Sequence, residues 1–284
     1  MPLWTPGSRR SYVVDNWGGN PSATPGVSVT PGASDAEGAF VASGLGTLAN
    51  ETQWLHVRVS DGFTSTAAKR HVMDIGVDPA GGTSYTNIIS DIVCGAASNI
   101  TGANGSGHQF LFPFRIPASA TVGIRIQGSN ATAGTVRVGL RASGRPDMPW
   151  LMPVGQYSET LGVTGSNGTA FTPGNAADGT WASLGTTTRE CWWWQLGYQI
   201  NNGTITAEYT YIELAYGDAS NKVTILRRLH GGGTNESIGS VLNENLISAA
   251  AYCRVPVGAS LFVRGRCVNA PDTGYQAAAI GIGG

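Results

Sequence analysis

Glu51-Thr-Gln-Trp-Leu-His-Val-Arg-Val59 is echoed 139 residues on by Glu190-Cys-Trp-Trp-Trp-Gln-Leu-Gly-Tyr198. Within the first stretch, Leu55, Val57 and Val59 alternate with Trp54, His56 and Arg58. A period of two places successive side chains on opposite faces of a strand. The equivalent set in the second stretch, Trp194, Leu196 and Tyr198, is also apolar, so this face is the one expected in the core. Trp54 and its counterpart Trp193 then fall on the opposite face. A large aromatic kept there in both copies has three readings: a cap over a sandwich edge, a subunit or domain interface, or a sugar-stacking platform.

The echo extends in both directions. Thr30-Pro31-Gly32 leads through Asp35, Gly38 and Phe40 to Ser43, Leu45 and Gly46. Thr172-Pro173-Gly174 leads through Asp178, Gly179 and Trp181 to Ser183, Leu184 and Gly185. Asp74-Ile75 is matched by Glu213-Leu214 and Arg115-Ile116-Pro117 by Arg254-Val255-Pro256, both again at 139 residues. Agreement at one offset is the mark of a duplicated unit. Each unit is about 115 residues, an ordinary size for a β-sandwich. The expected organisation is an extended N-terminal arm over 1–29, a first sandwich over 30–143, a linker or strap over 144–169 and a second sandwich over 170–284. The arm carries Trp4, Tyr12 and Trp17, aromatics expected to bury against another subunit or the neighbouring domain.

Val122, Ile124 and Ile126 alternate with Gly123, Arg125 and Gln127; Leu261 and Val263 alternate with Phe262 and Arg264. The fold class is therefore all-β: two tandem, duplicated, jelly-roll-like β-sandwiches, each with one face buried and one wet. Arg125 and Arg264 occupy equivalent outward positions, open to solvation, to pairing between subunits or to an acidic glycan. Leu242 to Tyr252 is the one stretch that could form a turn of helix.

Composition narrows the function. Net charge is -1 with no long basic block, which argues against nucleic acid as a partner. Charged residues are 12%, leaving surface that is easily desolvated on assembly. No run of about 18 apolar residues exists to insert in a membrane, and the start lacks an apolar signal core. Cys94, Cys191, Cys253 and Cys267 fit neither a zinc motif nor a disulfide framework, although Cys253 and Cys267 could meet across neighbouring strands. His56, His71, His108 and His230 form no metal pair, no nucleophile elbow is present, and Gly102 to Gly107 reads as a turn. Paired carboxylates, Asp74 with Asp78 and Glu208 with Asp218, are the one remaining route to catalysis or to calcium. A hydrogen-bonded strand-end acid explains them more simply. No catalytic residue, cofactor or metal is expected.

Ile116-Pro-Ala-Ser-Ala-Thr-Val-Gly-Ile-Arg-Ile-Gln127, followed by Val136-Arg-Val-Gly-Leu140, resembles tail-associated and fibre proteins of tailed phages, phage-derived gene transfer agents included. Val255-Pro-Val-Gly-Ala-Ser-Leu-Phe-Val-Arg264 is similar in the second unit. The resemblance covers about 30 residues per unit. It implies a non-enzymatic virion structural protein: a head or tail fibre, spike or adaptor, assembled in the host cytoplasm. Its implied partners are other virion proteins, further copies of itself and a host-surface glycan. Two other readings stay open, a carbohydrate-binding protein and a virion-borne glycan-degrading enzyme.

Overall fold

The computed structural model describes residues 12–16, 26–32, 35–61, 70–94, 108–129, 136–144, 154–200, 209–231, 250–267 and 275–284. Trp4, Trp17, the turn at 102–107 and Glu208 lie outside them. All regular structure among the described residues is β. The first sandwich holds β1 (Tyr12–Asp15), β2 (Val27–Val29), β3 (Val41–Ala42), β4 (Trp54–Asp61), β5 (His71–Asp78), β6 (Thr86–Val93), β7 (His108–Phe112), β8 (Thr121–Gly128) and β9 (Val136–Gly144). One sheet runs β1-β9-β4-β7, with β2 also on β9; the other runs β3-β8-β5-β6.

The second sandwich holds β10 (Tyr157–Leu161), β11 (Val163–Thr164), β12 (Asn167–Phe171), β13 (Gly174–Asn175), β14 (Ala182–Thr186), β15 (Cys191–Ile200), β16 (Tyr209–Gly217), β17 (Lys222–Gly231), β18 (Ala250–Val255), β19 (Ser260–Cys267) and β20 (Tyr275–Gly283). Its sheets run β12-β20-β15-β18, with β10 on β20, and β14-β19-β16-β17, with β13 on β19. Counting β1/β2 and β10/β12 as first strands, both units place their strands in the orders 1-8-3-6 and 2-7-4-5, the two four-stranded layers of a jelly roll. The offset of 139 survives in the registers: Leu55 faces Ala142 and Trp194 faces Gly281, while Asp74 faces Arg125 and Glu213 faces Arg264.

Within the stretch read as an arm, β1 and β2 pair with β9 and so belong to the first sandwich. Tyr12 is in β1, and its hydroxyl accepts from the Ala49 amide at 3.2 Å. Likewise β10, β11 and the start of β12 lie in the stretch read as a linker, and β10 and β12 pair with β20. Ala250 to Tyr252, the end of the stretch read as a possible helical turn, open strand β18 opposite β15, and the rest of that stretch lies outside the described residues. Pro and Gly between these short strands mask their alternation.

The core faces follow the alternation. Leu55, Val57 and Val59 are buried in the first core; Trp194, Leu196 and Tyr198 are buried in the second. One wet face per strand does not hold everywhere. β5 and β20 are buried on both faces. On β8, outward Gly123 is covered by the Tyr85 ring: a Cβ there would lie 2.8 Å from ring atoms. The missing side chain leaves room for the aromatic, which lies against Phe40 in a tilted pair with centroids 5.3 Å apart. All four cysteines are thiols. Cys253 and Cys267 do not meet, because β18 and β19 belong to opposite sheets.

The two sandwiches are joined edge on face. Outward side chains of β15 and β20 meet β6 and β7, so that Trp192, Ile280 and Ile282 join the first sandwich's core cluster. Gly197 on β15 sits against Val93, where an added Cβ would lie 2.9 Å from the Val93 carbonyl oxygen. Overpacking of this kind costs about 1–3 kcal/mol. Gly197→Val is therefore expected to lower the Tm by several degrees and to split one calorimetric transition into two. A single transition at the native Tm would contradict this account of the seam.

Candidate functional site

Two arrangements outside the cores carry the chemistry, and both derive from the duplication. The first is the seam. β6 and β7 are edge strands, and an edge exposes unpaired backbone groups. Here side chains of the second sandwich pair with them. Trp193 Nε1 donates to the Leu111 carbonyl at 3.1 Å, and the Leu111 amide donates to Gln195 Oε1 at 3.1 Å. Ser158 Oγ donates to the Ile88 carbonyl at 2.7 Å, and Thr160 Oγ1 donates to that of Ser90. The His71 amide donates to Gln199 Oε1 at 3.3 Å, and the Ser166 amide donates to Asp35 Oδ1 at 3.0 Å. Hydrogen bonding from Ser166 holds the Asp35 carboxyl below its ordinary value.

Trp54 and Trp193 meet at this seam with centroids 5.8 Å apart and planes at 78°, an edge-to-face pair. Such pairs add about 0.5–1.5 kcal/mol beyond the area they bury. Neither ring lies in its own sandwich core. Of the three readings, the structure places both rings at a domain interface within the chain. Tyr252 on β18 stands in the open, 61% exposed, with its ring 5.8 Å from that of Trp192.

The second arrangement is an ion cluster built twice. In the first sandwich, Arg125 on β8 donates through Nε and Nη2 to Asp74 Oδ2 on β5, at 2.9 and 2.8 Å, and pairs with Glu37. Its guanidinium lies 4.7 Å over the Phe40 ring. In the second, Arg264 on β19 binds Glu213 Oε2 at 2.8 Å and Asp178 Oδ2 at 2.9 Å. It lies 4.2 Å over the Trp181 ring. Both arginines keep under a quarter of their side-chain surface exposed, so neither is a freely solvated outward residue. Each ties the Pro-Gly segment between the sandwich's first two strands to its central strands. The structural counterpart of Asp178 is Glu37, not Asp35: Glu37 takes the arginine, while Asp35 points to the seam. A second duplicated pair, Arg115–Glu51 and Arg254–Glu190, ties loops near the seam at 2.7 and 2.9 Å.

The two clusters differ by one charged neighbour each. Asp91, on β6 with a left-handed backbone (φ 61°), donates its amide to Asp74 Oδ1 at 2.8 Å. Burial first, then the Asp74 and Glu37 carboxylates, push its own carboxyl up to about 6. In the second cluster Arg227 adds a cation instead, 3.0 Å from Asp178.

The remaining sequence candidates are structural. Asp78 caps the turn after β5 by accepting from the Ala80 and Ser84 amides, and Asp218 accepts from Ser220 and Asn221. Burial pushes the Cys191 thiol up to about 12, far from a thiolate nucleophile. Among the described residues, no group of three His, Cys, Asp or Glu side chains is placed to hold a metal, and no helix is long and apolar enough to cross a membrane. Sequence reasoning missed Glu37 and Asp91: Glu37 lies in a segment whose length differs between the two units, and Asp91 has no acidic counterpart in the second cluster.

No family model and no curated protein matches the chain. Among solved structures it is similar to the STIV MCP at 10% identity and a TM-score of 0.40, covering 96% of each chain. It is also similar to N-glycanase F at 11% identity and a TM-score of 0.32, covering 96% of each. A structure of infectious bursal disease virus, Gt strain, follows at 10% and 0.25, over 100% of this chain and 75% of that one. These scores carry no functional assignment.

Two outcomes test the clusters. Asp91 has its folded pKa raised, so its contribution to stability is greatest below the unfolded value near 3.8 and is lost as pH rises through about 6. The native Tm is expected to fall between pH 4.5 and 6.5 by more than that of Asp91→Asn; parallel Tm curves would contradict the assignment. Arg125→Met leaves buried Asp74 without its cation and is expected to cost about 3–5 kcal/mol at pH 7 in denaturant unfolding. A loss under about 1 kcal/mol would contradict the tie.

Proposed function

We propose that the chain is a virion structural protein that works by assembling with copies of itself, not by catalysis. The observation that carries this reading is the polarity of the seam. One sandwich offers an edge, β6 and β7; the other offers a face, β10, β20 and β15. Because the unit is duplicated, every chain has one further edge of this kind, β17 and β18, and one further face, β1, β9 and β4. Among the described residues neither is covered by the other sandwich, except at Trp54 on β4, which meets Trp193 at the seam. A contact between two different surfaces of one molecule repeats head to tail, closing a ring or extending a filament.

The exposed apolar residues support this. Tyr252 and Val257 are 61% and 62% exposed at and just beyond the open edge strand β18. Tyr252 corresponds to Pro113, which is buried at the seam. On the open face of the first sandwich, Val13 is 51% exposed, opposite Ser143 on β9. A fibre, spike or shell built from such repeats would sit in the virion and contact other virion proteins along its length.

Light scattering and native mass spectrometry of the full chain are expected to show a closed homo-oligomer or a filament. Tyr252→Glu is expected to shift the mass to monomer while leaving Tm within about 1 °C, since surface changes seldom cost more than about 0.5 kcal/mol. A native protein that stays monomeric at high concentration would overturn the reading.

A further inference from the structure

Among the described residues, the second sandwich carries a cleft whose counterpart in the first, beside Val72 and Gln127, is closed. The open cleft is lined by Ala176, Tyr211, Arg227, Arg266 and Cys267 and encloses about 410 Å³. The Tyr211 ring is 40% exposed. Tyr211 and Arg266 face each other in register across β16 and β19. Arg227, on β17, is held by Asp178 at 3.0 and 3.2 Å and keeps half its side chain in solvent. Arg266 is exposed and has no carboxylate partner among the described residues. Cys267 closes the floor, its thiol donating to the Gly174 carbonyl at 3.3 Å.

The equivalent positions of the first sandwich are Val72, the bulged Ser90 and Asp91, Gln127 and Gly128. Val72 is sealed with Val93 beneath Ala278 of the other sandwich. No cation or phenol stands there. The charge balance around the two clusters also differs. Arg125 faces Glu37, Asp74 and Asp91 in the first, an acidic surplus. Arg227 and Arg264 pair with Asp178 and Glu213 in the second, and Arg266 opposite Tyr211 adds a third cation, a cationic surplus. One copy has thus gained an open, arginine-flanked, ring-walled cleft where the other is closed.

We infer that this cleft binds a sugar residue bearing a carboxylate or sulfate group. Guanidinium groups match the planar, bidentate geometry of a carboxylate and bind sulfate through the same donors. The volume lies in the range of small-molecule sites and far exceeds what a lone oxyanion fills. The Tyr211 ring gives the C–H face of a pyranose a flat wall. The ligand is therefore fixed at two points, its charge by Arg266 and Arg227 and its ring by Tyr211. This inference does not rest on the assembly reading, and it is tested on the Tyr252→Glu chain, where no neighbouring copy covers the cleft.

Calorimetric titration with methyl glucuronide and with glucose 6-sulfate at constant ionic strength is expected to show binding. Methyl glucoside and inorganic sulfate are expected to bind at least about tenfold more weakly, the first lacking the charge and the second the ring. Arg266→Gln and Tyr211→Val, the latter restoring the first sandwich's residue, are each expected to weaken binding by about tenfold with Tm unchanged. Inorganic sulfate binding as well as the charged sugars would overturn the saccharide assignment and leave an oxyanion site only. No binding of either charged sugar, or binding indifferent to Arg266→Gln, would overturn the site altogether.

Discussion

An open strand edge is a row of backbone donors and acceptors with nothing to pair with, and a two-sheet sandwich has such edges by construction. Here the edge formed by β6 and β7 is covered by side chains standing on the face of another sheet, not by a further strand. Trp193, Gln195, Ser158 and Thr160 each reach one backbone group of that edge. Side-chain capping leaves the edge paired without extending the sheet, so the two sandwiches keep separate cores while Trp192, Ile280 and Ile282 of the second pack into that of the first. The close approach also depends on Gly197, which brings the β15 backbone down onto Val93.

The ion clusters solve a different problem. Each jelly roll must hold the irregular segment between its first two strands against the outer face of the second sheet. One arginine per sandwich does this by bridging an acid on the segment to an acid on the central strand while lying over an aromatic ring. The central acids, Asp74 and Glu213, are 5% and 6% exposed, where an unpaired carboxylate would be costly. The clusters therefore function as ties. That both survived duplication intact, with Glu37 and Phe40 answering to Asp178 and Trp181, shows how strongly the architecture constrains this position.

The all-β class, the duplication and the core faces were legible because they depend on local periodicity and on repeated spacing. Leu55, Val57 and Val59 declare their face by alternation alone. What was illegible depends on docking. Nothing in the sequence states that Trp54 and Trp193, equivalent in the repeat, will touch each other. Such a contact is set by how one sandwich sits on the other. Gly123 read as a wet position because periodicity assigns a face, not what lies over it; Tyr85 comes from a distant loop. Asp35 was matched to Asp178 by proximity to the Pro-Gly turn, but a short shift in loop length moved the functional acid to Glu37. The strands β1, β2 and β10 escaped notice because they are short and broken by Gly and Pro, so they owe their conformation to partners β9 and β20.

Why the seam has one direction follows from how the copies diverged. The face of the second sandwich presents Ala278, Ile280 and Ile282 outward on β20; the same places on β9 of the first are Gly139, Arg141 and Ser143. Before divergence, either face could in principle have received either edge. Ile280 and Ile282 now make the second face dry and permanent, as a buried seam requires. Arg141, paired with Asp15 at 3.3 Å, keeps the first face charged and hydrated. A face of that kind desolvates at a cost and so favours reversible contact over spontaneous collapse. The divergence therefore leaves one face dry and buried in the seam and the other charged and hydrated, and it is the second that the proposed assembly would use.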